Sequence, residues 1–424
     1  MNLASAIQHR VFSVIQAEAQ KLGVEVFVIG GFVRDVLLQR PNTDIDFVAN
    51  MHGVELARAT AKALGIKKID IFKTYGTAHF RFGELDLEFV NARKESYSSD
   101  SRNPQVEQGT LQDDQNRRDF TINALAISLQ EKNYGEVIDP FEGIADLESK
   151  ILRTPLNPDI TYSDDPLRMM RAVRFANQLH FRIEQESFDA ITRNAERLNI
   201  VSMERITTEL NKIILCAKPS IGFKILFDTG LLQRFFPEMV KLFGVEKRNG
   251  IAHKDNFYHT LQVLDNVCET SDNLWLRWSA ILHDIAKPPT KRFEEGIGWT
   301  FHGHEDLGAR MVPKLFARLK LPLDHSMKFV QKMVLLHLRP IALTKEEISD
   351  SAIRRLLFEA GDDIDELMKL CQADITSKNE TKVLRYLANY EIVIQKLVEL
   401  EEKDRVRNFQ PPISGEDIMR IFKL

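Results

Sequence analysis

The sequence predicts an α+β head with a mixed β-sheet, followed by an all-α neck and body and a further helical domain. The chain has 424 residues, which is more than one hydrophobic core usually serves. Short apolar segments between glycines and polar turns fill its first part, as in strands. Beyond residue 159 these signals nearly vanish, and apolar residues recur at helical spacing. We therefore expect domains at residues 1–159, 160–249 and 250–424.

The composition narrows the functional class. The net charge is −4, so any contact with nucleic acid must come from local basic patches. The cysteines Cys216, Cys268 and Cys371 are far apart, without a C-x-x-C pair, which indicates a reducing compartment such as the cytoplasm. The N-terminal 20 residues suit an amphipathic helix rather than a signal peptide. No apolar run approaches the ~20 residues of a membrane span, and we expect no membrane partner.

The head begins with a buried strand that ends at a glycine pair and continues into a helical turn. This first strand spans residues 24–31. The periodicity predicts further strands at 43–48, 69–72, 77–82 and 85–90, and a helix at 53–64. The polar segment 91–116 has little periodicity and is predicted to be a long functional loop. The stretch RRDFTINALA, residues 117–126, is predicted to place two arginines and an acid before an apolar helix.

An Asp-Ile-Asp alternation on the second strand is the first candidate site. Asp44 and Asp46 point to the same face of a strand, where they could bind divalent cations or form an ordinary solvated face. Gly30 and Gly31 could let a triphosphate approach the backbone and the following helix N-terminus. Arg34 could pair with phosphate or with its neighbour Asp35. A third acid could be Asp86 or Glu88, since the two share the polar face of a later strand.

Four motifs in order resemble the class II tRNA nucleotidyltransferases, which are the CCA-adding enzymes and the related bacterial poly(A) polymerases. The motifs are GGFVRD with DID, RRDFTINALA, DPFEGIADL at 139–147 and DDPLRMMRAVRF at 164–175. The resemblance covers about the first 240 residues. It implies that the head has the polymerase-beta-like nucleotidyltransferase fold.

The resemblance also assigns roles to residues of the head. It implies that Asp44 and Asp46 hold two Mg²⁺ ions. The family's third acid lies five residues before an arginine, and counting back from Arg93 gives Glu88. The RRD motif, which binds the ribose and phosphates of the incoming nucleotide, corresponds to Arg117, Arg118 and Asp119.

The family's E-D-x-x-R motif reads the incoming base in place of a template, and here it begins with Asp164 where the family has Glu. The base-reading pair corresponds to Asp165 and Arg168, both intact. A carboxylate accepts from the amino group of cytosine or adenine, and a guanidinium donates to ring acceptors. Arg168, Arg171 and Arg174 lie on one broad helix face that could bind phosphates or remain solvated.

Seven of the eleven histidines follow residue 252, in an order that resembles the HD phosphohydrolase domain. That resemblance assigns a divalent metal to His259, His283, Asp284 and Asp374. His304 and His337 could bind a second metal or grip phosphate. Imidazole and carboxylate ligands suit Mn, Fe, Ni, Co or Zn. A structural HD fold without hydrolytic activity is the alternative.

The combined expectation is an enzyme that adds C, C and A to tRNA 3′ ends from CTP and ATP by two-metal phosphoryl transfer. The HD domain would trim 2′,3′-cyclic phosphate or phosphate ends. The alternatives are a poly(A) polymerase, which the ending GEDIMRIFKL without a basic tail disfavours, and an HD phosphohydrolase with an RNA-binding head. The same ending suggests that a C-terminal helix is missing. The sequence does not predict an oligomeric state.

Overall fold

The structure is a computed structural model that describes residues 1–72, 76–98, 101–340 and 349–376, with scattered positions between 384 and 419. The ending at 415–424 lies outside the described residues except for one position. The chain forms two compact units. Unit 1 comprises residues 1–213 and 224–235, and unit 2 comprises residues 214–223 and 236–424. No helix within the described ranges is both long and apolar enough to cross a membrane.

Unit 1 begins with a mixed α+β head, as predicted. Its strands are β1 Val26–Ile29, β2 Asp44–Ala49, β3 Asp70–Phe72, β4 Thr77–Phe82, β5 Leu85–Asn91, β6 Arg93–Ser98, β7 Ser101–Gln108, β8 Ala126–Ser128 and β9 Val137–Ile138. Its helices are α1 Arg10–Leu22, α2 Gly31–Leu37, α3 Gly53–Ala63, α4 Leu111–Asn116 and α5 Gly143–Ser149. Seven strands form the main sheet in the order β3-β4-β5-β2-β1-β8-β9.

Strands β2 and β5 are the parallel neighbours of this sheet, and they carry the candidate acids. Phe47 and Phe89 are register partners on the two strands, and their rings stack at 4.9 Å. Both rings are buried, which stabilises the pairing by roughly 2 kcal/mol each. The buried faces of β2 and β5 therefore fix the polar residues between them at one level of the sheet.

Two predictions for the head are wrong. The segment 91–116 is not a loop, because β6 and β7 pair as an antiparallel hairpin and α4 follows with a capping box at Thr110. The stretch after Arg118 does not form an apolar helix. It makes a short 3₁₀ turn, Thr121–Asn123, and then strand β8, which pairs with β1. Tertiary pairing with the sheet overrides the helical spacing of the sequence.

The rest of unit 1 is helical, as predicted. It contains α6 Pro158–Asp164, α7 Leu167–Leu179, α8 Gln185–Asn194, α9 Met203–Ile214, α10 Ser220–Asp228 and α11 Leu231–Phe235, with a short parallel pair of β10 Ile151–Leu152 and β11 Arg182–Ile183. Helices α9 and α10 each contribute residues to unit 2 as well. The helix α7 begins directly after Pro166, whose fixed φ suits a helix start.

Unit 2 is helical with two small hairpins. In the described part of the unit the elements include α12 Pro237–Val240, β12 Lys247–Arg248, β13 Ile251–Ala252, α13 Asn256–Cys268, α14 Leu274–Leu282, α15 Lys287–Thr290, β14 Arg292–Glu294, β15 Gly298–Thr300, α16 His304–Arg318, α17 His325–Leu336, α18 Asp350–Ala360 and α19 Ile364–Asp374. Aromatic and aliphatic side chains such as Trp278, Phe316 and Leu367 are buried between these helices. The predicted helical domain is confirmed, and the two hairpins are an addition that the sequence did not indicate.

Candidate active site and candidate metal centre

An open cavity of about 870 Å³ in unit 1 brings the predicted head residues together. Its wall includes all thirteen residues predicted for catalysis or nucleotide binding: Gly30, Gly31, Arg34, Asp44, Asp46, Glu88, Arg117, Arg118, Asp119, Asp165, Arg168, Arg171 and Arg174. Acids from the sheet and arginines from α7 therefore face one space. Such a cavity can hold a polyanion against arginines while its acids hold cations.

The acids lie on the two parallel strands β2 and β5. The register pairs Asp44 with Asp86 and Asp46 with Glu88, so alternation places all four on one face. Asp86 is engaged by the Arg81 guanidinium at 2.8 Å and by His79. Burial raises the pKa of Glu88, and the charge of Asp46 adds to the rise. Glu88 is therefore the acid that shares its surroundings with Asp46, whereas Asp86 is occupied by other partners.

The positive charge of Arg118 offsets only part of the effect of burial on the Asp46 carboxylate. Burial is the main reason that the pKa of Asp46 is raised; Arg118 opposes the shift, and Asp44 adds to it. A cation at this position would relieve the repulsion between the carboxylates. Hard oxygen ligands of this kind suit Mg²⁺.

The two glycines before α2 have different conformations. Gly30 has φ +81°, which side chains rarely adopt, whereas Gly31 is the first residue of the helix. A Cβ on Gly30 would lie 3.0 Å from Arg118 Nη1 and 3.5 Å from Asp46 Oδ2. On Gly31 the nearest atom would be 3.7 Å away. Gly30 alone lets the backbone pass between the acid and the arginine.

Arg117 and Arg118 share a buried acid that the sequence analysis missed. Asp114 is fully buried, and its Oδ2 accepts a hydrogen bond from Arg118 Nη2 at 2.9 Å. The other carboxylate oxygen accepts from Arg117 Nε at 2.9 Å. Because of these two arginines, the pKa of Asp114 is lowered although burial raises it. The spacing of three and four residues from the arginines is the signal that could have found it.

Asp119 lies in the cavity wall, where its carboxylate pairs with Arg171. Arg171 Nε donates to Asp119 Oδ2 at 2.7 Å, and Asn123 donates to the other oxygen at 3.0 Å. Burial raises the pKa of Asp119, but Arg171 and Asn123 outweigh it and lower it to about 2. The carboxylate therefore holds the arginine in place.

The predicted base-reading pair lies at the start of α7. Asp165 Oδ1 accepts from the Leu167 N–H at 3.2 Å. Arg168 Nη2 donates to the Arg117 carbonyl at 2.7 Å and Nη1 to the Thr161 carbonyl at 3.3 Å. Among the described residues no ion pair joins Asp165 to Arg168. The two side chains therefore do not pair with each other, although their spacing of three residues would allow such a pair on a helix.

Three arginines of the cavity surround one ring. The guanidinium carbons of Arg34, Arg171 and Arg174 lie 5.0, 5.4 and 4.0 Å from the centre of the Phe175 ring. Cation–π contacts of this length stabilise partly desolvated arginines. The three guanidinium groups therefore lie close together around the Phe175 ring in the cavity wall.

Arg34 and Arg174 each also have an acidic partner. Arg34 pairs with Asp35 at 2.8 Å and donates to Asn123 Oδ1 at 2.8 Å. This is the neighbour pairing that the sequence offered as the alternative to phosphate. Arg174 Nε lies 2.7 Å from Glu209. Both arginines therefore help to build the cavity wall.

Unit 2 gathers the predicted metal ligands at one buried centre. His259 lies on α13, His283 and Asp284 follow α14, and Asp374 ends α19. Within the described part of the chain, two groups have ligand atoms that all lie within 4.8 Å of one another: His259 with His283 and Asp284, and Asp284 with His304 and His337. Asp374 Oδ1 lies 2.9 Å from His259 Nε2 and 3.6 Å from His283 Nε2. The three head acids do not form a group this close.

Backbone carbonyls orient three of the four histidines. The Nδ1 atoms of His283, His304 and His337 lie 2.7, 2.8 and 2.7 Å from the carbonyl oxygens three residues before each of them. A donor bond from Nδ1 leaves Nε2 as the ligand atom, which is the arrangement found behind metal-binding histidines. His283 Nε2 is buried and lies 3.2 Å from Asp284 Oδ2 without a well-aligned hydrogen bond to a described residue. A buried nitrogen that faces carboxylates in this way fits a metal ligand.

The charges of this centre are strongly coupled. Burial lowers the pKa of His283, but Asp284 and Asp374 outweigh it and raise it to about 10. Burial and the charge on His283 lower the pKa of His337 to about 4. Two lysines complete the centre, with Lys287 Nζ 2.5 Å from Asp284 and Lys254 Nζ 2.9 Å from His259 Nδ1. The carboxylates thus hold a positive charge between them, which a divalent cation can supply.

Three family domains match successive parts of the chain. The Poly A polymerase head domain matches residues 26–153. The probable RNA and SrmB-binding site of polymerase A matches residues 180–242, and the HD domain matches residues 256–379.

Similar proteins are tRNA nucleotidyltransferases. The Multifunctional CCA protein of Psychromonas ingrahamii is 33% identical over 310 residues, which cover 70% of this chain and 71% of that protein. The CCA-adding enzyme of Lactobacillus delbrueckii subsp. bulgaricus is 37% identical over 274 residues, covering 64% of this chain and 63% of that enzyme. The A-adding tRNA nucleotidyltransferase of Aquifex aeolicus is 37% identical over 203 residues, which cover 48% of this chain but only 24% of that enzyme.

Solved structures share the fold. A tRNA nucleotidyltransferase complexed with a primer tRNA and an incoming ATP analog has a TM-score of 0.64 at 21% identity, covering 91% of this chain and 99% of that one. The Thermotoga maritima CCA-adding enzyme complexed with tRNA has a TM-score of 0.65 at 20% identity, covering 97% and 85%. At these identities the likeness concerns the fold.

Proposed function

The chain belongs to the tRNA nucleotidyltransferase family of the multifunctional CCA proteins, and we propose that it adds C, C and A to tRNA 3′ ends from CTP and ATP. The observation that carries the proposal is the shared cavity of unit 1. The strand acids face the same space as Asp165, which precedes α7, and Arg168, which lies on α7. Nucleotide selection and phosphoryl transfer can then occur in one site without a template strand. The spacing of the three cysteines, all of them free, supports a reducing compartment such as the cytoplasm.

The acids of the cavity are proposed to hold two Mg²⁺ ions. Asp44 and Asp46 on β2 would be shared ligands, and Glu88 on β5 would be the third carboxylate because it is the register partner of Asp46. Bound Mg²⁺ supplies activation of the terminal 3′-hydroxyl and stabilises the leaving pyrophosphate. The raised pKa values of Asp46 and Glu88 support a site built for positive charge.

The triphosphate is proposed to lie along the backbone at Gly30, beside Arg117 and Arg118. Both arginines are held by Asp114, so their guanidinium groups are oriented before a nucleotide arrives. Asp119 acts through Arg171, which it holds by a 2.7 Å hydrogen bond. Preorganised cations lose less free energy on binding an anion than flexible surface side chains do.

Asp165 and Arg168 are proposed to read the edge of the incoming base. The carboxylate of Asp165 can accept from the amino group that cytosine and adenine share, and guanine and uracil present a carbonyl there instead. Arg168 bonds two backbone carbonyls, which fixes its position next to Asp165. One acid–arginine pair can therefore favour both correct bases.

We propose a second, divalent metal centre in the HD domain, held by His259, His283, Asp284 and Asp374. Mn, Ni, Co, Fe or Zn suits this set of imidazole and carboxylate ligands. His304 and His337 lie beside Asp284 and could hold a second ion or a phosphate group. A bound ion there supplies an activated water for phosphate ester hydrolysis. The proposed substrates are the 2′,3′-cyclic phosphate or phosphate ends of RNA.

Incubation with tRNA lacking CCA and each labelled nucleotide tests the proposal. We expect C, C and A to be added in order, and Asp44→Ala to abolish addition. Long A tracts would instead indicate a poly(A) polymerase, and phosphate release without incorporation would indicate an HD phosphohydrolase. Because one relative is an A-adding enzyme, tRNA already ending in CC should be tested as well. If the protein added A to tRNA ending in CC but added nothing to tRNA lacking CCA, its activity would be addition of the terminal A only.

A further inference from the structure

Two small hairpins in unit 2 pack against each other beside the HD centre. The first pairs Lys247–Arg248 with Ile251–Ala252, and the second pairs Arg292–Glu294 with Gly298–Thr300. The Trp299 Nε1–H donates to the Ile251 carbonyl at 3.2 Å, which ties the second hairpin to the first. We refer to residues 246–254 and 287–301 as the hairpin surface. Neither hairpin contributes a proposed metal ligand.

Cations and aromatic rings alternate across the hairpin surface. Lys291 Nζ lies 5.3 Å from the centre of the Trp299 ring, and the Arg248 guanidinium lies 4.9 Å from that of Phe293. The rings of Phe293 and Trp299 make an edge contact at 5.2 Å. His253 continues the series, with its ring 5.4 Å from Trp299. These rings are half-buried, so each keeps part of its surface accessible.

The same series of rings reaches the HD centre. The His253 ring lies 6.0 Å from Phe301, and Lys287 Nζ lies 5.7 Å from the centre of the Phe301 ring. Lys287 also lies 2.5 Å from Asp284, and the Phe301 carbonyl lies 2.8 Å from His304 Nδ1. The hairpin surface and the metal centre are therefore one continuous region.

The hairpin surface carries more positive charge than the rest of the chain. Residues 246–254 and 287–301 contain six Lys or Arg residues and three acids, whereas the whole chain has a net charge of −4. One of the acids, Glu246, pairs with Lys291. Glu246 is the exposed partner of this pair, so solvent screens its carboxylate and a phosphate group can replace it beside the partly buried Lys291. The positive surface thus remains available to an anionic partner.

We propose that the hairpin surface binds a single-stranded RNA 3′ end and presents its terminal phosphate to the HD centre. Cations that alternate with aromatic rings match a polymer whose phosphates alternate with bases. An acidic peptide would use the cations but not the rings. The part that concerns presentation of the phosphate rests on the proposed hydrolytic function of the HD centre, whereas RNA binding by the hairpins does not.

Photochemical cross-linking locates the RNA on the full chain. The probe is a short RNA with a 3′-phosphate and 5-iodouridine as its last nucleotide. We expect cross-links within residues 287–301 or 246–254, identified by mass spectrometry. Cross-links confined to residues 26–242 would overturn the proposal. So would displacement of the RNA by poly-glutamate as effectively as by unlabelled RNA.

Charge removal tests the same surface by affinity. The double variant Arg248→Ala/Lys291→Ala should bind this RNA about tenfold more weakly. The slope of log K against log salt concentration should become less steep by about 1.4, which is ~0.7 for each lost phosphate contact. The control is Lys314→Ala, an exposed lysine ten residues, or about 15 Å, along α16 from His304. Equal affinities of the double variant and the control would contradict the proposal.

A small chromogenic phosphate ester separates binding from catalysis. In the double variant the affinity for RNA should fall by a factor about tenfold larger than the factor by which the rate of ester hydrolysis falls. The reason is that the hairpins bind RNA and do not bind the ester. An equal loss of both would mean that the hairpins only support the fold. If the unmodified protein binds no metal and hydrolyses no ester, the proposed function of the HD centre fails. The cross-linking result still decides whether the hairpins bind RNA.

Discussion

Asp46 and Glu88 are direct register partners on the two parallel strands of the head sheet. The stacked rings of Phe47 and Phe89, one residue further along, hold this register. Asp86 is two residues away on the same face but is bonded to Arg81 and His79. Both candidates for the third acid, Asp86 and Glu88, face the cavity. They differ in that Asp86 is bonded to other side chains, whereas Glu88 lies beside Asp46.

We predict that Glu88→Gln lowers nucleotide incorporation by about 100-fold or more, because it removes a charged ligand worth several kcal/mol at the metal site. Asp86→Asn is the control, and it should cost less than about tenfold. Single-turnover incorporation of CTP at saturating Mg²⁺ measures both. If Asp86→Asn proved the more damaging variant, the third acid would be Asp86.

A second prediction concerns base selection. In Asp165→Asn an amide replaces the carboxylate and can donate a hydrogen bond to the carbonyl of uracil or guanine. The preference for CTP over UTP should then fall about 10-fold to 100-fold, as expected for about 1–3 kcal/mol per base contact. Ratios of kcat/KM for the four nucleotides measure it. Asp164→Asn, the adjacent acid, should leave the ratios nearly unchanged, and equal effects of the two variants would remove Asp165 from base recognition.

Because of Asp119, the free energy of unfolding of unit 1 should decrease as the pH falls through the acid range. Its pKa is lowered from 3.8 to about 2 in the folded protein, so its contribution of about 2 kcal/mol is complete above pH 4. The contribution disappears as the pH falls from about 3.8 to 2. Asp119→Asn should therefore be less stable than the parent protein at pH 6, with a difference that narrows towards pH 2.

Urea unfolding at several pH values measures this difference. The control is Asp159→Asn, whose partner Arg193 is exposed, so that its loss should cost less than about 1 kcal/mol. A difference between Asp119→Asn and the parent protein that stayed constant from pH 6 to pH 2 would show that the ion pair with Arg171 does not lower the pKa.

The HD centre should bind metal through its buried ligands. In an Asp44→Ala background, which disables the head site, we predict that Ni²⁺ added after chelation raises the melting temperature, since the ion binds the folded state alone. His283→Ala should abolish this shift. His302→Ala, in which a side chain that is 83% exposed is removed, should retain it. Metal content per chain provides the second readout, and an unchanged content in His283→Ala would refute the assignment.

Much of the head could be predicted because its strands are short apolar runs with polar residues at alternate positions. The thirteen cavity residues came from such local patterns and from the family motifs. Partners could not be predicted in the same way. Asp114 was missed because residues 91–116 were predicted to be a loop, so that its helical spacing to Arg117 and Arg118 was not considered, and the pairing of Arg34 with Asp35 was one of two open alternatives.

Other features depend on contacts that the sequence pattern does not reveal. The segment 91–116 has little periodicity of its own, and its strands form by pairing with each other. The carbonyl bonds behind His283, His304 and His337 arise from helix ends that the histidine spacing does not reveal. Spacing alone therefore identified the ligands but not what orients them.

The glycine pair provides the last prediction. Gly30 has φ +81° and ψ −135°, and a Cβ there would lie 3.0 Å from Arg118 Nη1. Gly30→Ala should therefore destabilise unit 1 by about 1–3 kcal/mol and should displace Arg118 from the cavity. Gly31→Ala is the matched control, because Gly31 is helical and a Cβ on it meets nothing closer than 3.7 Å. Incorporation of CTP and urea midpoints should separate the variants, with activity lost in Gly30→Ala and largely retained in Gly31→Ala. If both variants lost activity with unchanged stability, the triphosphate would need open space at both positions, and the backbone strain at Gly30 would not be the cause.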